Sequence, residues 1–149
     1  MRVCDFLADS TVSFETLVHP PAFTAQKRAK FLHLSGRQVA KSLLLYGPQG
    51  YFVAVLPAPC HVDTDRLAQA LEGPVRLATN EEVARIFWDC EWGVVPPFGN
   101  LYGLSTVLDQ GFEPDTLLVF EANTHGEAIR MLCRDYERLV KPQRLHFAI

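Results

Sequence analysis

No stretch of the chain approaches the roughly 20 consecutive apolar residues that a bilayer crossing demands, although 48% of its residues are hydrophobic. The four cysteines, Cys4, Cys60, Cys90 and Cys133, form no CxxC pair, which argues against a zinc knuckle or a disulfide framework and leaves reduced thiols as the expectation. P-loop, GxGxxG and HExxH patterns are all missing, and Ser35, Ser42 and Ser105 stand on no nucleophile elbow. His19, His33, His61, His125 and His146 lack the spacing of metal ligands, so neither a metal nor a cofactor is expected. Cys60 beside His61 invites a nucleophile reading, but neighbours on an extended chain face opposite sides. Acids are missing from residues 21 to 41, which hold Lys27, Arg28, Lys30, Arg37 and Lys41, while residues 42 to 120 carry ten acids against three bases. With a net charge of -3 the chain is unlike a protein that coats duplex DNA. Its local basic segment is either a solvated helix face or a patch that steers the end of a polyanion. The opening MRVCDFLADS lacks the apolar core of an export signal, so a cytoplasmic location and no membrane partner are expected.

The 149 residues suit one domain spanning 1–149, and their punctuation suggests an α+β order. Pro20 and Pro21 hold His19 at an extended corner, after which a helix is expected from Thr24. GRQVAKSLLLYGPQGYFVAVLP reads as a hairpin, with β-branched and aromatic strands around a GPQG turn. A helix over VDTDRLAQALEG should stop at Gly73. A second begins at Thr79, whose spacing to Glu82 completes a capping box, and is expected to run to Gly93. Beyond it, LSTVLDQGFEPD reads as a polar turn before a strand at Leu117 to Phe120. Thr124 and Glu127 then repeat the capping spacing, so THGEAIRMLCRDYERLV is expected to be one helix with Ile129, Leu132, Cys133, Tyr136, Leu139 and Val140 on its inner face. RLHFAI closes the chain as a strand.

Chemistry concentrates in the loop GVVPPFGNLYG. Gly93 and Gly99 expose backbone groups where a side chain would block approach, and Pro96 with Pro97 stiffens the path, which suits either main-chain recognition of a small polar group or an ordinary connection. Lys41, at the start of the hairpin, either guards a sheet edge or reaches for phosphate or carboxylate.

Three pieces in order, HPPAFTA at 19–25, GRQVAKSLLL at 36–45 and GVVPPFG at 93–99, resemble the YbaK/ProX superfamily of aminoacyl-tRNA deacylases, and EANTHGEAIRM at 121–131 resembles its last conserved junction. The resemblance implies a stand-alone editing domain, with a mixed sheet or partly closed barrel surrounded by helices. It implies hydrolysis of the ester of a mischarged aminoacyl-tRNA, foremost Ala-tRNA(Pro), with Cys-tRNA(Pro), Ser- or Thr-charged tRNA, or a non-catalytic tRNA-binding module as alternatives. The partner is then the tRNA 3′ end, in company with an aminoacyl-tRNA synthetase. Lys41 matches the family lysine associated with the terminal adenosine, and Gly93 and Pro97 match the ends of its GxxxP motif. His19, Asn123 and His125 match positions that shape the site. Phe23, Leu45, Phe98, Gly99 and Tyr102 complete the expected walls.

Overall fold

The computed structural model describes residues 2–149. The chain begins with helix α1 (Val3–Asp9), strand β1 (Phe14–Val18) and helix α2 (Ala25–Phe31), then a short 3-10 turn at Gly36–Gln38. The hairpin follows as β2 (Ala40–Gly47) and β3 (Gly50–Pro57), paired in unbroken antiparallel register from Ala40↔Pro57 to Gly47↔Gly50. Next come α3 (Thr64–Leu71), the two-residue β4 (Arg76–Leu77) and α4 (Asn80–Ile86). A second 3-10 turn at Gly99–Tyr102 leads to β5 (Ser105–Asp109), β6 (Leu117–Glu121), β7 (Glu127–Leu132), α5 (Cys133–Val140) and β8 (Gln143–Leu145).

The strands make two sheets, one ordered β1-β7-β6 and the other β4-β2-β3-β5-β8, with both parallel and antiparallel pairs in the second. An isolated parallel bridge, Val39↔Val119, joins them. The architecture is therefore α+β with mixed pairing, as expected, but the sheet does not close into a barrel. β3 is buried along its last six residues, which is why its sequence is a continuous apolar run rather than an alternation. One face of the larger sheet packs Leu45, Phe52, Leu56 and Val107 against Leu67 of α3 and Phe147. Between the sheets lies the larger core, where Phe98, Phe120 and Tyr136 meet with ring centroids 5.4 to 6.1 Å apart.

Three expectations are corrected. The single helix over 124–140 is instead a strand followed by a helix. Glu127–Leu132 pairs with β1 on one side and β6 on the other, and only Cys133–Val140 is helical. The Thr124 hydroxyl does donate to Glu127 Oε1, at 3.2 Å, but this contact spans the β6–β7 connection and caps no helix. The supposed polar turn contains β5, which lies between β3 and β8 as an interior strand. Its Asp109 is buried because Oδ1 accepts from the Phe147 and Ala148 N–H groups and Oδ2 from Gly111 N–H. Finally, α4 has the expected Thr79–Glu82 capping box but ends at Ile86, not Gly93. There the Phe87 ring turns into the core against Tyr102, 4.7 Å away, and Cys90 N–H closes a turn on the Phe87 carbonyl.

Candidate active site

The loop after α4 is threaded through the protein rather than laid over it: Val94, Val95, Pro96, Pro97, Phe98 and Gly99 are all buried. Buried backbone must find partners, and the partners fix the loop. Glu91 N–H donates to the Asn123 carbonyl at 2.9 Å, Tyr136 Oη to the Pro97 carbonyl at 2.6 Å, and Gly99 N–H to Thr106 Oγ1 at 3.1 Å. Just before this buried run, Glu91, Trp92 and Gly93 lie at the surface. Gly93 sits at φ 85°, in the left-handed region where a Cβ is penalised. Its N–H and that of Val95 donate to no acceptor among the described residues, whereas Val94 N–H is taken by Glu91.

Gly93 and Val95 form one wall of a cleft of about 310 Å³. Facing residues come from α2 and the segment before it, from β2, and from the β6–β7 region, chiefly Phe23, Lys41, Glu121 and His125. Lys41 is the second residue of β2, half-buried, with no carboxylate partner among the described residues. Burial holds its pKa below the ordinary lysine value, and Cys60 nearby opposes that shift weakly. Phe23 is 71% exposed yet covers the His125 ring at a centroid distance of 4.6 Å.

His125 connects the two sides. The Trp92 carbonyl lies 2.7 Å from Nε2 and can only accept, so Nε2 carries a hydrogen and holds the residue that precedes Gly93. On the other side of the ring, Nδ1 stands 3.0 Å from Glu121 Oε2, the same oxygen that receives Arg28 Nη2. Arg28 is 3% exposed and packs along α2 beneath the cleft. Burial pushes the Glu121 carboxyl upward in pKa, with Arg28 and then His125 pulling against it, and burial lowers that of Arg28. The direct guanidinium–carboxylate contact keeps both groups ionised, since an isolated buried charge is far less stable than a pair.

Of the residues singled out in the sequence, Lys41, Gly93, Phe23 and His125 share this cleft. The others do not line it. Leu45 is fully buried under α3 and Phe147, further along β2 from Lys41, and Phe98 is fully buried between the sheets. Pro97 is fastened to α5 through its carbonyl. Gly99 is a packing glycine, since a Cβ there would stand 2.6 Å from Thr106 Oγ1. Tyr102 donates to Asp89 at 2.7 Å behind the loop. Asn123 clasps the chain's start, accepting from Val3 N–H at 2.9 Å. His19 is buried with Nδ1 donating to the Pro20 carbonyl at 2.7 Å and its ring stacked on Phe31. Sequence reasoning passed over Arg28 and Glu121. The one signal for Arg28 was its place in the acid-free segment, which hid that it is neutralised by a carboxylate from 93 residues away. Lys27, Lys30 and Arg37 from that segment are exposed.

Among the described residues, no group of three or more His, Cys, Asp or Glu side chains comes together as a metal site, and no helix is long and apolar enough to cross a membrane. All four cysteines are free, and burial raises the thiol pKa of Cys90. What the cleft offers chemically is one unpaired ammonium, one carboxylate held by a buried arginine, and a glycine turn with backbone donors unused by the protein.

Known proteins show the same arrangement of chain. The fold superposes on hypothetical protein APE2540 with a TM-score of 0.90 at 17% identity, covering the whole of both chains. A proposed trans-editing enzyme for prolyl tRNA synthetase gives 0.78 at 23% identity, over 91% of this chain and 87% of that one. A proposed signal transduction protein from Marinobacter aquaeolei VT8 gives 0.77 at 19% identity, with 99% of this chain matching 30% of that one. At these identities the likeness is one of fold. No curated protein matched the chain in sequence. Residues 19–139, which include every group around the cleft, match the aminoacyl-tRNA editing domain, and the chain belongs to that family.

Proposed function

We propose that the protein is a trans-editing hydrolase that removes a mismatched amino acid from the 3′ end of tRNA, with alanine on a proline tRNA as the leading substrate. The observation that carries this reading is Lys41, a half-buried ammonium without a carboxylate partner among the described residues, in the same cleft as the glycine turn whose Gly93 and Val95 N–H groups find no acceptor among them. A cation held in this way at a cost is suited to a phosphate that arrives with the substrate. The family match supplies the class of reaction, and the solved structure described as a proposed trans-editing enzyme for prolyl tRNA synthetase supports the proline system.

In this reading Lys41 takes the phosphate of the terminal adenosine, and the ester carbonyl lies against the turn at Gly93. The Gly93 and Val95 N–H groups stabilise the negative charge that develops on the carbonyl oxygen as water adds. The free ribose hydroxyl of the substrate positions that water, so no side-chain nucleophile is needed. Collapse of the adduct breaks the carbonyl carbon–ribose oxygen bond, releasing the amino acid and leaving the ribose hydroxyl restored. Rejection of a larger amino acid depends on walls such as Val95 and Phe23, because one methylene's difference in an apolar pocket discriminates by only about 1–3 kcal/mol.

The test is steady-state deacylation of Ala-, Cys-, Ser- and Pro-tRNA(Pro) by the protein and by Lys41→Ala. Loss of alanine that spares Pro-tRNA(Pro) and disappears in the variant supports the full reading. Loss of cysteine or serine instead keeps the editing activity and replaces the substrate. Binding of charged and uncharged tRNA alike, with no ester cleaved, identifies a binding module and rejects the hydrolase.

A further inference from the structure

Glu121 is the one carboxylate that lines the cleft. Arg28 Nη2 and His125 Nδ1 both approach the same oxygen, Oε2. Oε1 has no hydrogen-bond partner among the described residues, and it is not sealed in the interior, since the side chain keeps 14% exposure. A carboxylate oxygen with free lone pairs in a small cleft is an acceptor awaiting a donor. The editing substrate has one obvious donor to offer. An aminoacyl ester carries a free α-ammonium, joined to its carbonyl through a single carbon.

The geometry matches that connection. One imidazole ring separates Glu121 from the turn at Gly93, bonded at 3.0 Å to Glu121 and at 2.7 Å to the Trp92 carbonyl. Groups that read an ammonium and the adjacent carbonyl of one amino acid must lie about this close. Arg28 occupies one oxygen of Glu121 and leaves the other, while Lys41 has no carboxylate partner among the described residues, so a substrate bringing an ammonium and a phosphate places each beside its opposite.

We infer that Glu121 Oε1 accepts the α-ammonium of the aminoacyl group, with Arg28 and His125 as the positioning residues that orient the carboxylate. This rests on the editing reading. It follows that the enzyme reads the amino group itself as well as the size of the side chain, and spares esters whose α-nitrogen is absent or blocked.

The test compares Ala-tRNA(Pro) with lactyl-tRNA(Pro), the isosteric α-hydroxy ester made by deaminating it, each rate divided by that ester's spontaneous hydrolysis to remove intrinsic reactivity. Losing one charge-assisted contact predicts a preference for the alanyl ester of about 10–100-fold in normalised kcat/KM. Glu121→Gln should bring that ratio close to one by slowing the alanyl ester far more than the lactyl ester. If Glu121→Gln fails to fold, the double variant Arg28→Met/Glu121→Gln, which removes the buried pair together, takes its place. A wild-type ratio near one overturns the inference, as does a folded variant that keeps the wild-type preference. The pair is made from whichever amino acid the tRNA panel shows to be removed; hydrolysis of no charged tRNA in that panel overturns the editing reading and the inference with it, whereas equal hydrolysis of both esters overturns the inference alone.

Discussion

Replacing Lys41 by methionine keeps the apolar stem and removes the charge, and its two effects should run in opposite directions. Lys41 is half-buried without a carboxylate partner among the described residues, and burial holds its pKa below the ordinary 10.5. Removing a desolvated, unpaired charge stabilises the folded state. Because solvent still reaches part of the side chain, the gain is small, about 0.5–1 kcal/mol, the low end of what relaxing a functional site returns. For a chain of this length 1 kcal/mol moves Tm by about 2–4 °C, so Lys41→Met should melt roughly 1–4 °C higher at neutral pH. The sign of the pH dependence follows from the shift. The folded state holds the Lys41 proton less tightly than the unfolded state, so the wild type gains stability as pH rises from the lowered pKa to 10.5, and the variant's advantage fades across that window. Activity falls instead. Loss of one charged contact to phosphate costs about 1.5–3 kcal/mol, or roughly 10–150-fold in kcat/KM. The plot of log kcat/KM against log salt should also flatten by about 0.7 for one phosphate contact on a single strand. Thermal melts across pH and deacylation across salt check both halves. A variant that melts clearly lower than the wild type, or keeps its salt slope, would refute the assignment and return Lys41 to the role of an edge residue.

Gly93→Ala forces an L-residue to φ 85° at a cost of about 1–2 kcal/mol, from the backbone rather than crowding, since the nearest atom to the new Cβ is His125 Nε2 at 3.9 Å. The turn relaxes, its donors move, and kcat should fall about 100-fold; an unchanged kcat would exclude the turn from the reaction. Arg28→Met leaves the Glu121 carboxylate buried beside His125 alone and should destabilise by about 3–5 kcal/mol in urea unfolding, while Arg28→Met/Glu121→Gln recovers most of that loss. Equal instability of the single and double variants would contradict the pairing. Thr79→Ala removes one half of a capping box and should cost about 1 kcal/mol of stability with deacylation unaffected, as read by parallel melts and rates.

The β2–β3 hairpin, the capped start of α4 and the helix from Thr24 were legible because their signals are local: a turn, a cap, a run of strand formers within a few residues. β7 was not. Its residues, EAIRML, are mostly good helix formers, and their local preference is overridden by a ladder on each side, from β1 and from β6. β5 was hidden for a related reason, since Asp109 looks like a turn residue until the N–H groups of Phe147 and Ala148, far along the chain, satisfy it. In the candidate site, Lys41, Gly93, Phe23 and His125 came from motifs, which are local words. Leu45 and Phe98 were placed by adjacency to those motifs; alternation does put Leu45 on the same side of β2 as Lys41, but four residues further along the strand that side is packed under α3 and Phe147. The Arg28–Glu121 pair joins two elements that no spacing connects, and only the folded chain brings them together.

The solitary bridge between Val39 and Val119 has a consequence for where catalysis can be built. Two strands start out side by side and in the same direction, and two residues beyond the bridge each presents a charged side chain, Lys41 on one and Glu121 on the other. Their ladder goes no further. The cleft is the gap left where two strands part, so its width is set by backbone divergence rather than by the bulk of any side chain. A small guest between Lys41 and Glu121 occupies room that continued pairing would have closed.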